Sequence, residues 1–273
     1  MLEFKNIWVH SNRSIINPSQ NLPSTTTPLL SSTAHKWLKR IKKDDIKDND
    51  LSLSKNALIK GINGKLLSGQ ITVLTGASGS GKSLLLRVLA GLLPMSSGDV
   101  CLQSAGEPNS RTYHDTYHSI HNTAPIQWRT QVALLAQHPQ LLEGSVLDNL
   151  QMPYRLQAHQ QRRFDREWHI AQLAHLERGA DFLHQAATHL SGGERQLVNT
   201  LRLLQLRPRV LLLDEPTAAL DGETSAQLVQ LLINWLRADT PRTLLWVTHD
   251  TQDIMPLADN HWHMQAGVLT ELS

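Results

Sequence analysis

Apolar and polar positions along the chain follow two rhythms. Residues 2–10 alternate, with Phe4, Trp8 and Val9 among the apolar positions, which is the period of a half-buried strand. Residues 70–75 form a short β-branched run that enters a glycine-rich turn. The apolar run behind that turn, 83–93, has helical character and is closed by Gly91 and Pro94. Residues 58–66, 99–103 and 131–137 carry strand character, and 167–178 and 194–205 read as helices. Residues 210–213 are wholly apolar and end in Asp214-Glu215, and 244–248 end in His249. Strands without a polar face, alternating with amphipathic helices, predict an α/β fold whose parallel sheet is covered on both faces. In such sheets the chemistry sits at the carboxyl ends of the strands.

Two stretches break this pattern. Residues 11–56 are rich in Ser, Thr, Asn, Pro and Lys and bury too little apolar surface to offset their ordering entropy, so they predict a disordered insertion. Residues 104–125 read as a second, polar insertion. Within the first, Trp37, Leu38 and Ile41 lie among Lys36, Lys39, Arg40, Lys42 and Lys43, a pattern suited to an anionic membrane surface. The run is short and Asp44 and Asp45 follow it, so a solvated linker is the preferred reading.

Composition narrows the partners. The 26 Lys+Arg and 24 Asp+Glu leave a net charge of +2, too small for a surface that coats nucleic acid, and no nucleic-acid partner is expected. Cys101 alone makes neither an internal disulfide nor a thiolate metal site, which points to a reducing compartment. No apolar run reaches the ~18–20 residues of a spanning helix, and the N-terminus lacks the layout of a signal peptide. A cytoplasmic protein that meets a membrane only peripherally is expected.

The segment Gly76-Ala77-Ser78-Gly79-Ser80-Gly81-Lys82-Ser83 fills every constrained position of the P-loop pattern, with a predicted strand before it and a helix after. Glycines let successive N–H groups converge on phosphate oxygens, and the helix N-terminus adds positive potential. Lys82 reaches the β- and γ-phosphates, and the Ser83 hydroxyl can ligate Mg²⁺. Asp214, at a strand end, is placed to hold that metal, and Glu215 beside it to act on the attacking water as general base. His189-Leu190-Ser191-Gly192-Gly193-Glu194 sets a Ser and two Gly before a helical run, a second nest of backbone donors.

In this order the three motifs resemble the ATP-binding-cassette (ABC) transporter ATPase subunits, over nearly the whole chain outside the two insertions. The resemblance implies a P-loop NTPase (RecA-like) core, an antiparallel β-region near the N-terminus and a helical subdomain over 141–190, within one domain spanning 2–273. It implies ATP and Mg²⁺ as cofactors, with Ser83, Gln137 and Asp214 at the metal and Glu215, His249 and Gln137 in catalysis. His249 would be the switch histidine, and Gln137 would sense the membrane subunit. Ser191, Gly192, Gly193 and Glu194 would meet the ATP held by a second copy in a head-to-tail homodimer, and the loop Ala219-Leu220-Asp221 would meet that copy. A transmembrane permease on a separate chain would hold the protein at the inner face of the plasma membrane. The phrasing of 137–150 and 245–250 is most similar to the ATPase subunits of bacterial iron or metal exporters.

Three positions depart from the family pattern. Glu194 stands where Gln is commoner, outside the Ser-Gly-Gly nest. The adenine-stacking aromatic has only Trp8, Val9 and His10 as candidates, next to the long insertion. The helix after the signature lacks the usual small-residue run. A soluble ABC ATPase of DNA repair or translation is the rival reading, but it usually carries two cassettes or a long coiled coil, and neither is seen here. A non-hydrolytic subunit is disfavoured because Lys82, Asp214, Glu215 and His249 are all present. His114, His118 and His121 would share one face of a helix, with Asp115 nearby as a further ligand. The surrounding Ser, Thr and Asn have weak helix propensity, and a plain polar insertion is preferred over a metal site.

Overall fold

The computed structural model describes residues 1–11, 56–103, 117–218, 220–238 and 242–272. Strand β1 (Leu2–His10) pairs antiparallel with β2 (Ala57–Leu66), and β3 (Ile71–Thr75) leads through the glycine loop into helix α1 (Lys82–Leu89). After β4 (Ser97–Gln103) and the short β5 (Tyr117–Ser119) come α2 (Pro125–Gln131) and β6 (Val132–Leu135). Helices α3 (Val146–Gln151) and α4 (Arg166–His175) follow, joined and flanked by 3₁₀ turns. The last third is α5 (Gly192–Leu204), β7 (Val210–Asp214), α6 (Gly222–Arg237), β8 (Thr243–Val247) and the hairpin β9 (Asn260–Gln265) and β10 (Val268–Leu272).

Among the described residues these strands make two sheets, β2-β1-β4-β5, all antiparallel, and β10-β9-β3-β8-β7-β6. In the second sheet β9, β3, β8, β7 and β6 run parallel and β10 antiparallel. The wholly apolar strands are buried on both faces because successive side chains enter different cores. Leu211, Leu213, Leu244 and Trp246 pack with α5, α6 and the helices of 141–190. Val210, Leu212, Leu245 and Val247 pack with α1 and the antiparallel sheet. The α/β architecture thus follows the sequence pattern, and the N-terminal antiparallel region that the resemblance implies is present. No helix among the described residues is long and apolar enough to cross a membrane.

Several expectations need correction. Helix α1 stops at Leu89 rather than residue 93, because Gly91 turns left-handed (φ 65°) and the chain folds back under the buried Trp128. The signature helix begins at Gly192, two residues earlier than expected. The end of the supposed polar insertion at 104–125 is structured: residues 117–119 form the edge strand β5, with no buried face to give an alternating signal. His118 lies in β5 and His121 in a 3₁₀ turn, so they do not share a helix face, and His114 lies outside the described residues. No group of three or more His, Cys, Asp or Glu among the described residues could hold a metal ion. Residues 12–55 lie outside the described residues, but their flanks are joined: the Ser11 N–H donates to the Asn56 carbonyl at 3.1 Å, extending the β1–β2 hairpin.

Candidate active site

Three strand ends converge on one cleft. β3 delivers the glycine loop, whose shape depends on two positions that no other residue suits. At Gly76 (φ 141°) an added Cβ would lie 2.1 Å from the Met264 carbonyl oxygen, and at Gly81 (φ 110°) it would lie 3.0 Å from Met264 Cε. The loop is braced from the far end of the chain, where the Gly267 N–H donates to the Ser80 carbonyl at 3.0 Å. Lys82 opens α1 and is 5% exposed. Its Nζ donates to the carbonyls of Gly76 (2.6 Å) and Ala77 (3.0 Å). Burial pushes this ammonium below its ordinary range, while Glu215 and Asp214 pull it the other way.

Ser83, next on the helix, donates its hydroxyl to Asp214 Oδ1 at 3.0 Å. Asp214 closes β7 and is itself buried. These are hard oxygen donors of the kind Mg²⁺ takes, and they fit the implied metal. Glu215 follows in left-handed backbone (φ 48°), a conformation costly for a side chain with a Cβ, and its N–H donates to the Val247 carbonyl at 2.9 Å. The turn gives the two carboxylates different partners. Glu215 Oε2 accepts from Gln137 Nε2 at 2.9 Å, and Oε1 lies 3.0 Å from His249 Nε2. His249 Nε2 also lies 3.4 Å from Lys82 Nζ. The cleft has a volume of about 580 Å³ and is lined by Ser78, Gly79, Lys82, Ser83, Gln137, Glu215 and His249 among others.

The signature residues stand outside this cleft. Ser191 caps α5: its Oγ accepts from the Glu194 N–H at 3.2 Å, and Glu194 Oε2 accepts from the Ser191 N–H at 2.9 Å. Glu194, noted as a departure, therefore completes a capping box, and its other oxygen lies 3.8 Å from Arg178 Nε. Gly192 has open space around it, whereas Gly193 faces Leu220 and Thr224. Asp221 caps α6, accepting from the Thr224 N–H at 2.8 Å and hydroxyl at 3.0 Å, and these bonds hold its carboxyl below the usual range. Ala219 lies outside the described residues.

None of the three adenine candidates lines the cleft. Val9 is buried in the core, and Trp8 and His10 stack on each other with centroids 6.0 Å apart. Instead the half-exposed Leu58 of β2 stands at the rim. Leu58, Met264 and Gly267 carried no local signal in the sequence, because strand pairing alone brings them to the glycine loop.

Comparison with known proteins agrees with this geometry. A family model described as ABC transporter matches residues 59–218. The Probable iron export ATP-binding protein FetA of Escherichia coli (strain K12) is 32% identical over 197 residues, 72% of this chain and 80% of its own length. The Lipoprotein-releasing system ATP-binding protein LolD of Acinetobacter baylyi is 35% identical over 220 residues, 79% of this chain and 90% of its own length. The chain spans only 58% and 51% of the methionine-import and molybdenum-import relatives that it also matches. The dimeric structure of MJ0796, a bacterial ABC transporter cassette, superposes with a TM-score of 0.69 over 100% of this chain and 99% of that one; at 20% identity the likeness is one of fold. A complete P-loop, an acidic strand end beside it and a matching family model over more than half the chain make this protein a member of the ABC transporter ATP-binding family.

Proposed function

We propose that the chain hydrolyses Mg-ATP in a head-to-tail homodimer, as the peripheral ATPase subunit of a transporter whose permease is a separate chain. The observation that carries this reading is the Gln137–Glu215–His249 constellation set against Lys82 and the Ser83–Asp214 pair. Lys82 Nζ, held by two loop carbonyls, is poised to exchange them for phosphate oxygens. Ser83 and Asp214 would hold Mg²⁺, which when bound supplies charge neutralisation at the β- and γ-phosphates. Glu215, oriented from both sides by Gln137 and His249, takes the proton of the attacking water. Gly192, open to solvent, presents backbone donors to a second copy's nucleotide together with Ser191, and the loop at Asp221 meets that copy.

For the solute, the resemblance of 137–150 and 245–250 to metal exporters and the similarity to FetA support iron or another metal ion. Relatives named for methionine import, molybdenum import and lipoprotein release match at similar identity, in keeping with a cassette that leaves solute selection to its permease.

Glu215→Gln tests the reading. It keeps the side chain's shape but cannot take a proton, so hydrolysis should fall by about 10²–10⁴-fold while ATP binding survives. With the γ-phosphate uncleaved, the variant should elute as a dimer in ATP and a monomer in ADP on size exclusion. Full activity would remove Glu215 as the base, and a slow variant that stays monomeric in ATP would count against the dimer.

A further inference from the structure

A second and larger cavity, about 800 Å³, lies away from the cleft. Its wall is built from α4, the C-terminal ends of α5 and α6, and the residue that precedes β8. Helix α6 runs from the end of β7 back to the start of β8, so this cavity opens at the edge where the parallel strands begin. The nucleotide cleft sits where they end. No residue lines both.

The charged part of the lining is mostly cationic. Four guanidinium groups, Arg162, Arg163, Arg207 and Arg242, stand against one carboxylate among the described residues, Asp165. That carboxylate is already engaged, accepting from the Trp168 N–H at 2.9 Å as the cap of α4. Two of the arginines are held in place by backbone: Arg162 donates to the Leu206 carbonyl and Arg242 to the Trp235 carbonyl. Arg242 also lies 5.0 Å over the Trp235 ring. Trp235 is 6% exposed, and its buried indole N–H has no acceptor among the described residues. His169, fully buried, has Nδ1 on the Asp165 carbonyl at 2.6 Å and Nε2 close to Gln205 but without a hydrogen bond. Arg162, Arg163 and Arg207 are exposed around this one concavity, an arrangement that favours acceptor atoms of an anionic ligand.

We propose that this cavity is a second ligand site, which takes a small, multiply phosphorylated molecule. Guanidinium forks match phosphate oxygens in pairs, and those of Arg162, Arg163 and Arg207 around one space call for more than a single charge. The volume lies within the range of sites that enclose a small molecule, and Trp168 and Trp235 offer apolar wall beside the charges. A free solute fits this concavity better than a lipid headgroup that must stay in its bilayer. The inference does not depend on the proposed hydrolysis, since it uses none of the cleft's residues.

The probe is inorganic pyrophosphate, titrated by calorimetry into the full chain. The Lys82→Ala variant, impaired at the P-loop, should retain a binding event that weakens with added salt. In Arg163→Gln/Arg207→Asn that event should weaken by about tenfold or more, because charge-assisted contacts are lost. Both side chains are exposed, and Asn suits the left-handed backbone of Arg207 (φ 49°), so the double variant should melt with the wild type and keep its ATP turnover. Absence of pyrophosphate binding in Lys82→Ala, or unchanged binding in the arginine variant, would overturn the proposal. Arginine-dependent retention on phosphatidic acid vesicles without pyrophosphate binding would assign the surface to lipid and equally defeat it.

Discussion

The P-loop cleft and the signature segment are both nests of backbone donors at the start of a helix, yet the chain finishes one and leaves the other open. In the cleft each charged group has an internal partner: Lys82 has two carbonyls, Asp214 has Ser83, and Glu215 has Gln137 and His249. At the signature, the side chains of Ser191 and Glu194 satisfy each other's backbone N–H groups, and a Cβ added at Gly192 would meet nothing within 4 Å outside its own helix. The first arrangement places charges so that they can be redirected to a ligand. The second secures the helix alone and leaves its exposed donors to something outside the chain.

The sharpest way to break this comparison is Lys82→Ala. It removes the one flexible cation of the loop, so turnover should be abolished and ATP affinity should fall steeply, as read by nucleotide titration and phosphate release. Near-wild-type turnover would mean that the cleft is not the site. Next in size is Gly76→Ala, whose Cβ would meet a backbone oxygen at 2.1 Å in a conformation unfavourable to alanine. Denaturant unfolding should show a loss of roughly 1–3 kcal/mol, with weaker ADP binding, and an unchanged midpoint would show that the loop adapts.

Ser191→Ala should act differently. It removes the cap of α5 at a cost of about 1 kcal/mol and leaves ADP binding by the single chain unchanged, while ATP-driven dimerisation weakens. A matching loss of ADP affinity would tie the two regions together and end the distinction. The smallest effect should come from replacing residues 12–55 with Asn-Gly. Ser11 and Asn56 already pair, and a two-residue turn closes such a hairpin, so thermal stability and ATPase rate should stay close to wild type. Failure of this variant to fold would show that the segment contributes to the core.

Much of the fold was legible because its signals are local. An apolar strand advertises itself by having no polar face, as at 210–213 and 244–247, and each ends at a residue that the cleft uses. The edge strand β5 and the hairpin β9–β10 were harder to read. β5 is exposed, and in β9 only Trp262 and Met264 are buried, alternating with His261 and His263, which carry no apolar signal. The adenine platform failed for a related reason. Position along β1 singles out Trp8, Val9 and His10, but Val9 is buried, Trp8 and His10 stack on each other, and none of the three lines the cleft.

By itself the sequence determined the pieces: the glycine loop, the strands that end in Asp214-Glu215 and His249, and the Ser191–Glu194 helix start. Each of these is set within a few residues, by backbone sterics, capping or the period of burial. Only the tertiary structure decided what they meet. Gln137 reaches Glu215 across 78 residues and Lys82 faces His249 across 167, while Met264 and Gly267 shape the loop from the far end of the chain. The arginine cavity likewise joins side chains from four separate stretches. Such contacts follow from sheet order and from the packing of two cores on opposite faces, and no local pattern records which strand lies beside which.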